Sequence, residues 1–280
     1  MSRVFTGERL ETNIYNDNSV KHLHRYAVTT KYIHNKIILD IASGEGYGSN
    51  LMSDFASFVY GVDIELSVVV TAGNKYNKGN LKFLQGSTSN IPLGDNSIDV
   101  VVSFETLEHH DEHEKMFSEI KRVLRPEGIL IISTPDKYYY SDKRNYSNEF
   151  HVKELYKTEF IQLISANFKK HEVLSQSYLN NNSLIFEEVV RNNMAYYSGD
   201  FNGISEVDSS PHFLIAVASD YDFPNLGNSM FEGEKILSKN FIQGGKIDEI
   251  YRSSSYRLGH LLLLPFKRLK RFYKKLNTKK

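Results

Sequence analysis

The stretch Ile37-Ile38-Leu39-Asp40-Ile41-Ala42-Ser43-Gly44-Glu45-Gly46-Tyr47-Gly48 joins an apolar run of β character to an acid and then to a glycine-rich bend. Glycines let a ligand lie against bare backbone, while an acid on one side and a helix N-terminus on the other give anchors of opposite sign for a charged ligand. A nucleotide-like ligand is the first reading. The glycines at 44, 46 and 48 spell G-x-G-x-G, with Ser49 where the dinucleotide fingerprint G-x-G-x-x-G places its third glycine. Asp40 would face a phosphate unfavourably and an ammonium group favourably.

Working outward, a second apolar run closes on Asp63, where a carboxylate at a strand's C-terminal end can accept paired hydrogen bonds from a ribose diol. The same acid could instead cap the helix that follows. A leading helix is expected over 18–34. Strands are expected near 37–42, 58–62, 81–85, 98–104 and 128–134, with helices at 47–55, 66–76, 111–124 and 153–167. In the third of these helices Met116, Phe117, Ile120 and Val123 recur at helical spacing. Pro126-Glu127-Gly128 marks the turn into the fifth strand. Further strands fit 171–179, 183–189 and 212–219, and the polar segment 191–211 reads as a loop or insertion. Strands alternating with helices argue for an α/β fold with a parallel sheet.

Taken in this order, the segments resemble class I S-adenosylmethionine-dependent methyltransferases. The glycine bend is similar to their first motif, an acid, two residues and G-x-G. Ser43 stands where many relatives carry cysteine or glycine. The run Gly86-Ser87-Thr88-Ser89-Asn90-Ile91-Pro92, followed by a turn and a buried strand, is similar to the family's Gly-Asp-Ala-x-x-Leu-Pro loop, although Ser87 replaces the aspartate that most members aim at the adenine amino group. The resemblance implies a Rossmann-like, seven-stranded α/β sandwich with an N-terminal helical segment and a C-terminal extension. It implies S-adenosyl-L-methionine as cofactor, with Arg25, Asp40, Ala42, Gly44, Gly46, Asp63, Ile64, Ser87, Thr88 and Glu105 as cofactor-binding positions. The corresponding domains are 1–35 as a helical lid, 36–219 as the methyltransferase domain and 220–280 as the extension.

A narrower resemblance rests on Gly7-Glu8-Arg9, on His22-Leu23-His24-Arg25-Tyr26 and on Glu149-Phe150-His151-Val152-Lys153-Glu154. These spellings are similar to a bacterial subgroup found with cell-surface polysaccharide and glycosyltransferase genes. It implies O-methylation of a sugar or glycan, with glycan-assembly enzymes as partners and Arg25 gripping the cofactor carboxylate from a lid helix. A lipid-like or quinone acceptor is the alternative within the family. Outside it stand an NAD-dependent sugar oxidoreductase or epimerase and a silent binding module.

A sugar hydroxyl is a poor nucleophile and profits from a general base of near-neutral pKa. Open α/β sheets bind ligands at strand C-termini, which points to Glu105, His109, His110, Asp136 and His151. His109 or His110 is favoured as the base, with His151 as the alternative. The cluster His109-His110-Asp111-Glu112-His113 has metal-binding residue types, but helical neighbours at i and i+1 point apart, and no metal is expected.

Composition sets outer bounds. The 280 residues are 40% hydrophobic and 24% charged, ordinary for a globular protein with one main domain and an appendage. There is no cysteine, which excludes disulfides, thiolate metal sites and a cysteine nucleophile. The 18 tyrosines, among them Tyr138-Tyr139-Tyr140, offer flat faces and hydroxyls suited to sugars. Neither a signal peptide nor a membrane-spanning run is apparent, so a cytoplasmic location is the expectation. Zero net charge conceals an asymmetry. Residues 265–280 hold eight basic side chains and no acid, leaving 26 basic against 34 acidic side chains before them. An acidic body argues against nucleic acid as a partner. The leucine-rich and basic tail 258–272 suits a peripheral contact with an anionic membrane.

Overall fold

The computed structural model describes residues 10–243, with side chains through 239. Asn16 opens α1 (Asp17–Ile33) with a capping box, its side chain accepting from the Ser19 N–H at 3.1 Å. β1 (Ile37–Ile41), α2 (Tyr47–Met52), β2 (Phe58–Asp63), α3 (Leu66–Lys75) and β3 (Leu81–Gln85) follow as two crossover units, and β1 pairs in parallel with β2 and β2 with β3. The chain then returns across the sheet. β4 (Ile98–Phe104) pairs with the free side of β1, and α4 (His113–Val123) leads to β5 (Leu124–Pro135), again in parallel. This reversal of direction at β1 opens a crevice beyond the strand C-termini, the place where such sheets bind ligands.

The second half of the sheet is antiparallel. α5 (Lys157–Asn167) leads into β6 (Lys170–Leu179), which turns directly into β7 (Asn182–Phe186). Asn180 and Asn181 have φ of 47° and 67°, the left-handed pair that a two-residue hairpin requires and that asparagine tolerates. After α6 (Glu188–Asn192) and an exposed hairpin of β8 (Tyr197–Asp200) and β9 (Gly203–Glu206), β10 (Phe213–Ser219) inserts between β5 and β6, and β11 (Ser229–Glu232) adds to β7. Among the described residues the sheet has nine strands, in the order β11-β7-β6-β10-β5-β4-β1-β2-β3.

Alternation along the strands divides the core in two. Leu39, Ile41, Val101, Leu130 and Ile132 pack on one face with Phe117, Ile120 and Phe160 of α4 and α5. Ile38, Val100, Val102 and Ile131 pack on the other with Val28, Tyr32 and Ile33 of α1 and with Met52. Each such side chain contributes about 1.5–3 kcal/mol on full burial.

The Rossmann-like α/β sandwich is the expected one, and it is wider than seven strands. β11 lies beyond position 219, where the domain was expected to end. The segment before it is held to the sheet: Leu226 is fully buried, its N–H donates to Glu172 at 2.6 Å, and the Pro224 carbonyl accepts from Tyr32 Oη. The helix α1, expected as a lid, is built into the core. α5 begins at 157 rather than 153, because the N–H groups of Val152 and Lys153 donate to the Glu108 carbonyl and hold that stretch as a loop. The segment 191–211 proves to contain the β8–β9 hairpin. The described residues through Glu234 form one compact unit, and α7 (Glu234–Gln243) belongs from Lys235 on to a second. Gly7-Glu8-Arg9 and the basic tail lie outside the described residues. No helix among the described residues is long and apolar enough to cross a membrane.

Candidate active site

A cavity of about 650 Å³ opens at the C-terminal ends of β1, β2 and β4, within the usual range for small-molecule sites. Two residues on its wall carry backbone strain. Ala42 after β1 and Glu105 after β4 have φ of 60° and 53°, a conformation that costs a residue other than glycine or asparagine about 1–3 kcal/mol and that gathers at functional sites. Gly44 and Gly46 are left-handed as well, at 55° and 86°. A Cβ on Gly46 would meet the Phe83 ring at 2.6 Å and Ala72 at 2.9 Å, so this glycine serves packing beneath the bend, while Gly44 lies on the wall.

Asp63 is fixed from both sides. One carboxylate oxygen accepts from the Gly44 N–H and the other from the Glu65 N–H, each at 3.0 Å, tying the glycine bend to the start of α3. Asp63 thus braces the turn ahead of α3, whose N-cap is Glu65, and it lies on the cavity wall. Ile64 beside it is 67% exposed, an apolar flank on the cavity wall for a flat ring. Ser87, Thr88 and His110 line the same end. His110 Nε2 lies 3.4 Å from Thr88 Oγ1, and its buried Nδ1 has no hydrogen-bond partner among the described residues. Burial lowers the pKa of His110, so at neutral pH it offers one donor and one acceptor to a base such as adenine. A strand-end carboxylate on the wall, bare backbone at Gly44, an apolar flank and an imidazole nitrogen unpaired among the described residues together fit S-adenosylmethionine.

Not every expected residue is on that wall. Asp40 shares the Ile38 side of β1, is 2% exposed and accepts from Ser49 Oγ at 2.6 Å beneath α2. Burial, with the Asp63 charge adding to it, pushes its pKa up to about 7 against the opposing Ser49 hydrogen bonds. Arg25 is fully buried outside the lining, between α1 and the antiparallel half of the sheet. Its Nε donates to Gln176 at 2.8 Å, its guanidinium lies 4.6 Å from the centre of the Phe213 ring, and Nη1 pairs with Glu105 Oε1 at 3.2 Å. It reaches the cavity through Glu105, which is on the wall and also accepts from Ser133 Oγ. This placement corrects the expected direct grip on a cofactor carboxylate, because Arg25 is engaged with Gln176 and Glu105 on the far side of that wall.

The three histidines separate. His110 lies beside Thr88, the position expected at adenine, whereas His109 lines the cavity near Phe150. His151 is outside the lining but close to His109, the two rings 5.2 Å apart and nearly perpendicular. Its Nδ1 meets Glu154 Oε1 at 2.5 Å, and Tyr140 stacks on its ring. Behind them Glu108, 1% exposed, accepts from Thr134 Oγ1, and burial with the neighbouring Glu105 raises its pKa well above the ordinary value. Asp136 is buried at the end of β5, away from this lining.

Sequence reasoning missed Tyr26, Tyr47 and Phe104, which with Phe150 make the aromatic part of the wall. One signal was present. A Cβ at Gly48 would overlap the Tyr26 ring at 2.0 Å, so the tyrosine of His24-Arg25-Tyr26 and the last glycine of the bend fit each other.

Residues 39–132 match the family model of a methyltransferase domain. A probable S-adenosylmethionine-dependent methyltransferase of Mycolicibacterium smegmatis is 35% identical over 139 residues, covering 49% of this chain and 53% of that protein. The phthiotriol/phenolphthiotriol dimycocerosates methyltransferase 1 of Mycobacterium ulcerans is 28% identical over 115 residues, covering 39% and 42%. The chain spans about half the length of the curated relatives it matches. Among solved structures, YcgJ of Bacillus subtilis superposes with a TM-score of 0.53 at 18% identity, covering 72% of this chain and 100% of that one. A possible histamine N-methyltransferase of Thermotoga maritima gives 0.52 at 16% identity, covering 73% and 91%. At such identities these two show the fold alone. Residues 39–132 thus match a methyltransferase domain in sequence and lie within a fold like that of solved methyltransferases, and S-adenosylmethionine is the cofactor that this family and fold imply.

Proposed function

We propose that the protein is an S-adenosylmethionine-dependent methyltransferase that O-methylates a sugar or glycan hydroxyl during cell-surface polysaccharide biosynthesis. The observation that carries the reading is the juxtaposition of a ribose-binding carboxylate, Asp63, with an imidazole, His109, on the wall of one cavity. When bound, S-adenosylmethionine supplies a sulfonium methyl group. Asp63, Gly44 and Ile64 hold and orient the nucleoside, and Ser87, Thr88 and His110 meet its base. His109 and the adjacent His151 activate the acceptor hydroxyl, a contribution typically worth 10²–10⁴-fold. Orientation and exclusion of water supply the rest.

The sugar reading is supported by aromatic side chains next to that imidazole pair: Tyr140 stacks on His151, Tyr146 packs against Tyr140, and Phe150, 38% exposed, is on the cavity wall. A lipid-like acceptor is the second reading, favoured by the similarity to the dimycocerosates methyltransferase. The basic tail would dock the enzyme on an anionic membrane beside lipid-linked glycan assembly, and the full chain binding anionic vesicles more tightly than a 1–256 chain would support this.

The test is transfer of labelled methyl from S-adenosylmethionine to a pool of nucleotide sugars, lipid-linked oligosaccharides and apolar lipids, with the product identified by mass spectrometry. A labelled glycan supports the proposal, a labelled aglycone lipid supports the second reading, and a chain that binds NAD instead of S-adenosylmethionine removes both. Asp63→Ala is expected to weaken S-adenosylmethionine binding by about 10²-fold, at roughly 1.4 kcal/mol per tenfold. His109→Ala is expected to lower kcat and leave that affinity within a few-fold.

A further inference from the structure

Two segments distant in sequence bring a carboxylate and two imidazoles together beside the cavity. Glu108 and His109 follow β4, and His151 lies in the loop before α5. The Val152 and Lys153 N–H groups clamp that loop to the Glu108 carbonyl at 2.8 and 3.1 Å. One ligating atom from each of Glu108, His109 and His151 lies within 4.8 Å of the other two. In a tetrahedral site with bonds of roughly 2.0–2.1 Å the donors sit about 3.4 Å apart, a contraction within reach of side-chain rotation.

The outer hydrogen bonds give this cluster a direction. A backbone carbonyl only accepts, so the Phe150 oxygen, 3.0 Å from His109 Nδ1, places a proton on that nitrogen. The Glu154 carboxylate does the same for His151 Nδ1. In each neutral ring the lone pair then resides on Nε2. Imidazoles whose Nδ1 is held by a carbonyl or carboxylate are the arrangement that orients histidine ligands toward a metal. The sequence pattern directed attention to 109–113 and away from a metal, whereas this donor set draws one imidazole from a loop some forty residues later.

We propose that Glu108, His109 and His151 bind a divalent transition-metal ion of the Zn²⁺ or Mn²⁺ type, with Glu154 and the Phe150 carbonyl orienting the two imidazoles. Two nitrogens and one carboxylate favour such an ion over Mg²⁺, which prefers oxygen donors and retains its waters. Three protein ligands leave at least one position open, and His109 lies on the cavity wall. With the metal bound, His109 and His151 act on the acceptor through the ion rather than as free bases: a hydroxyl oxygen taken up there loses its proton to solvent more readily than in free solution. This role deepens the methyltransferase reading and rests on it, while the metal site itself does not.

The test uses the full chain stripped with a chelator and titrated separately with ZnCl₂ and MnCl₂ by calorimetry, with no cofactor or acceptor present. One-to-one binding at micromolar affinity or tighter is expected for at least one of the ions. His151→Ala and Glu108→Gln should weaken it at least 100-fold and Glu154→Gln about 10–100-fold. S-adenosylmethionine affinity, measured in parallel, should stay unchanged and reports that each variant is folded. His151→Ala carries the test if Glu108→Gln does not fold, since Glu108 is the more deeply buried. The proposal is overturned if neither ion binds the wild-type chain, or if folded His151→Ala binds as tightly as wild type. A chain that binds metal but not S-adenosylmethionine would leave this site standing and remove the methyltransferase reading. Cofactor binding without metal binding would do the reverse.

Discussion

The parallel and antiparallel halves of the sheet differ in how far apart in sequence their polar partners lie. In the parallel half, Gly44 and Asp63 are 19 residues apart, and Ser49 and Asp40 are 9. In the antiparallel half, Arg25 bonds to Gln176 across 151 residues and His24 to Ser183 across 159. The first half assembles its chemistry from strand ends that a crossover connection brings together automatically. The second depends on α1 docking against strands made much later in the chain. A cofactor cradle can thus be carried by short motifs, while the wall beyond it depends on the whole fold.

Arg25 is where the halves meet, and removing it should have the largest effect. Its guanidinium joins Gln176 and Phe213 on one side to Glu105 on the other. Arg25→Met leaves Glu105 and the Gln176 oxygen without their partner, a loss of the kind that costs about 3–5 kcal/mol. Urea unfolding of both chains measures it. A cost under about 1 kcal/mol, the size of a surface ion pair, would mean that the halves hold together without this link. The same variant should retain far more S-adenosylmethionine affinity than Asp63→Ala. Equal losses would return Arg25 to the cofactor site.

This division explains what could be read from the sequence. The strands β1 to β5, the cofactor and the place of Asp63 on the cavity wall were legible because glycine bends, strand-ending acids and apolar runs are local signals. Asp40 was read as facing the ligand, yet strand alternation puts it on the Ile38 side, beneath Ser49. The distinction between His109 and His110 was not legible, because it depends on the 148–153 loop being clamped to Glu108. β11 was missed because Ser229–Glu232 has little apolar signal of its own and exists by pairing with β7.

The buried acid of the parallel half gives a smaller, pH-dependent effect. Asp40 has a folded pKa of about 7, above its unfolded value near 4. Between these pH values the folded chain holds a proton that the unfolded chain has lost, so its contribution makes stability fall as pH rises from about 4 to 7 and levels off above. The full excursion is about 4 kcal/mol. His24 and His212, both lowered to about 4 by burial with charged Arg25 and Arg144 respectively adding to it, act in the opposite sense, favouring the folded state as pH rises through about 4 to 6.5. The diagnostic quantity is therefore the difference between wild type and Asp40→Asn, measured by urea unfolding at several pH values. That difference should move in favour of the variant as pH increases. A difference constant from pH 4 to 8 would show that Asp40 titrates normally and that the cradle carries no buried proton.

The smallest effect belongs to the antiparallel half. Gln176 Nε2 donates to the Lys21 carbonyl and to Ser183 Oγ, Ser183 Oγ lies 2.9 Å from His24 Nδ1, and Ser229 Oγ lies 3.0 Å from His24 Nε2. With Ser183 accepting from Gln176 and donating to Nδ1, the His24 proton sits on Nε2 and is directed at Ser229, so each donor from Gln176 to His24 has an acceptor. Ser183 is fully buried, and its removal strands two partners at once; Ser229 is half-buried, and solvent can replace it. Ser183→Ala should cost about 1–3 kcal/mol and Ser229→Ala no more than about 1 kcal/mol. Equal costs would mean that α1 is held to β6 and β7 by apolar packing alone. The long-range polar links would then be incidental to how the second half assembles, and the contrast with the locally encoded cradle would rest on Arg25.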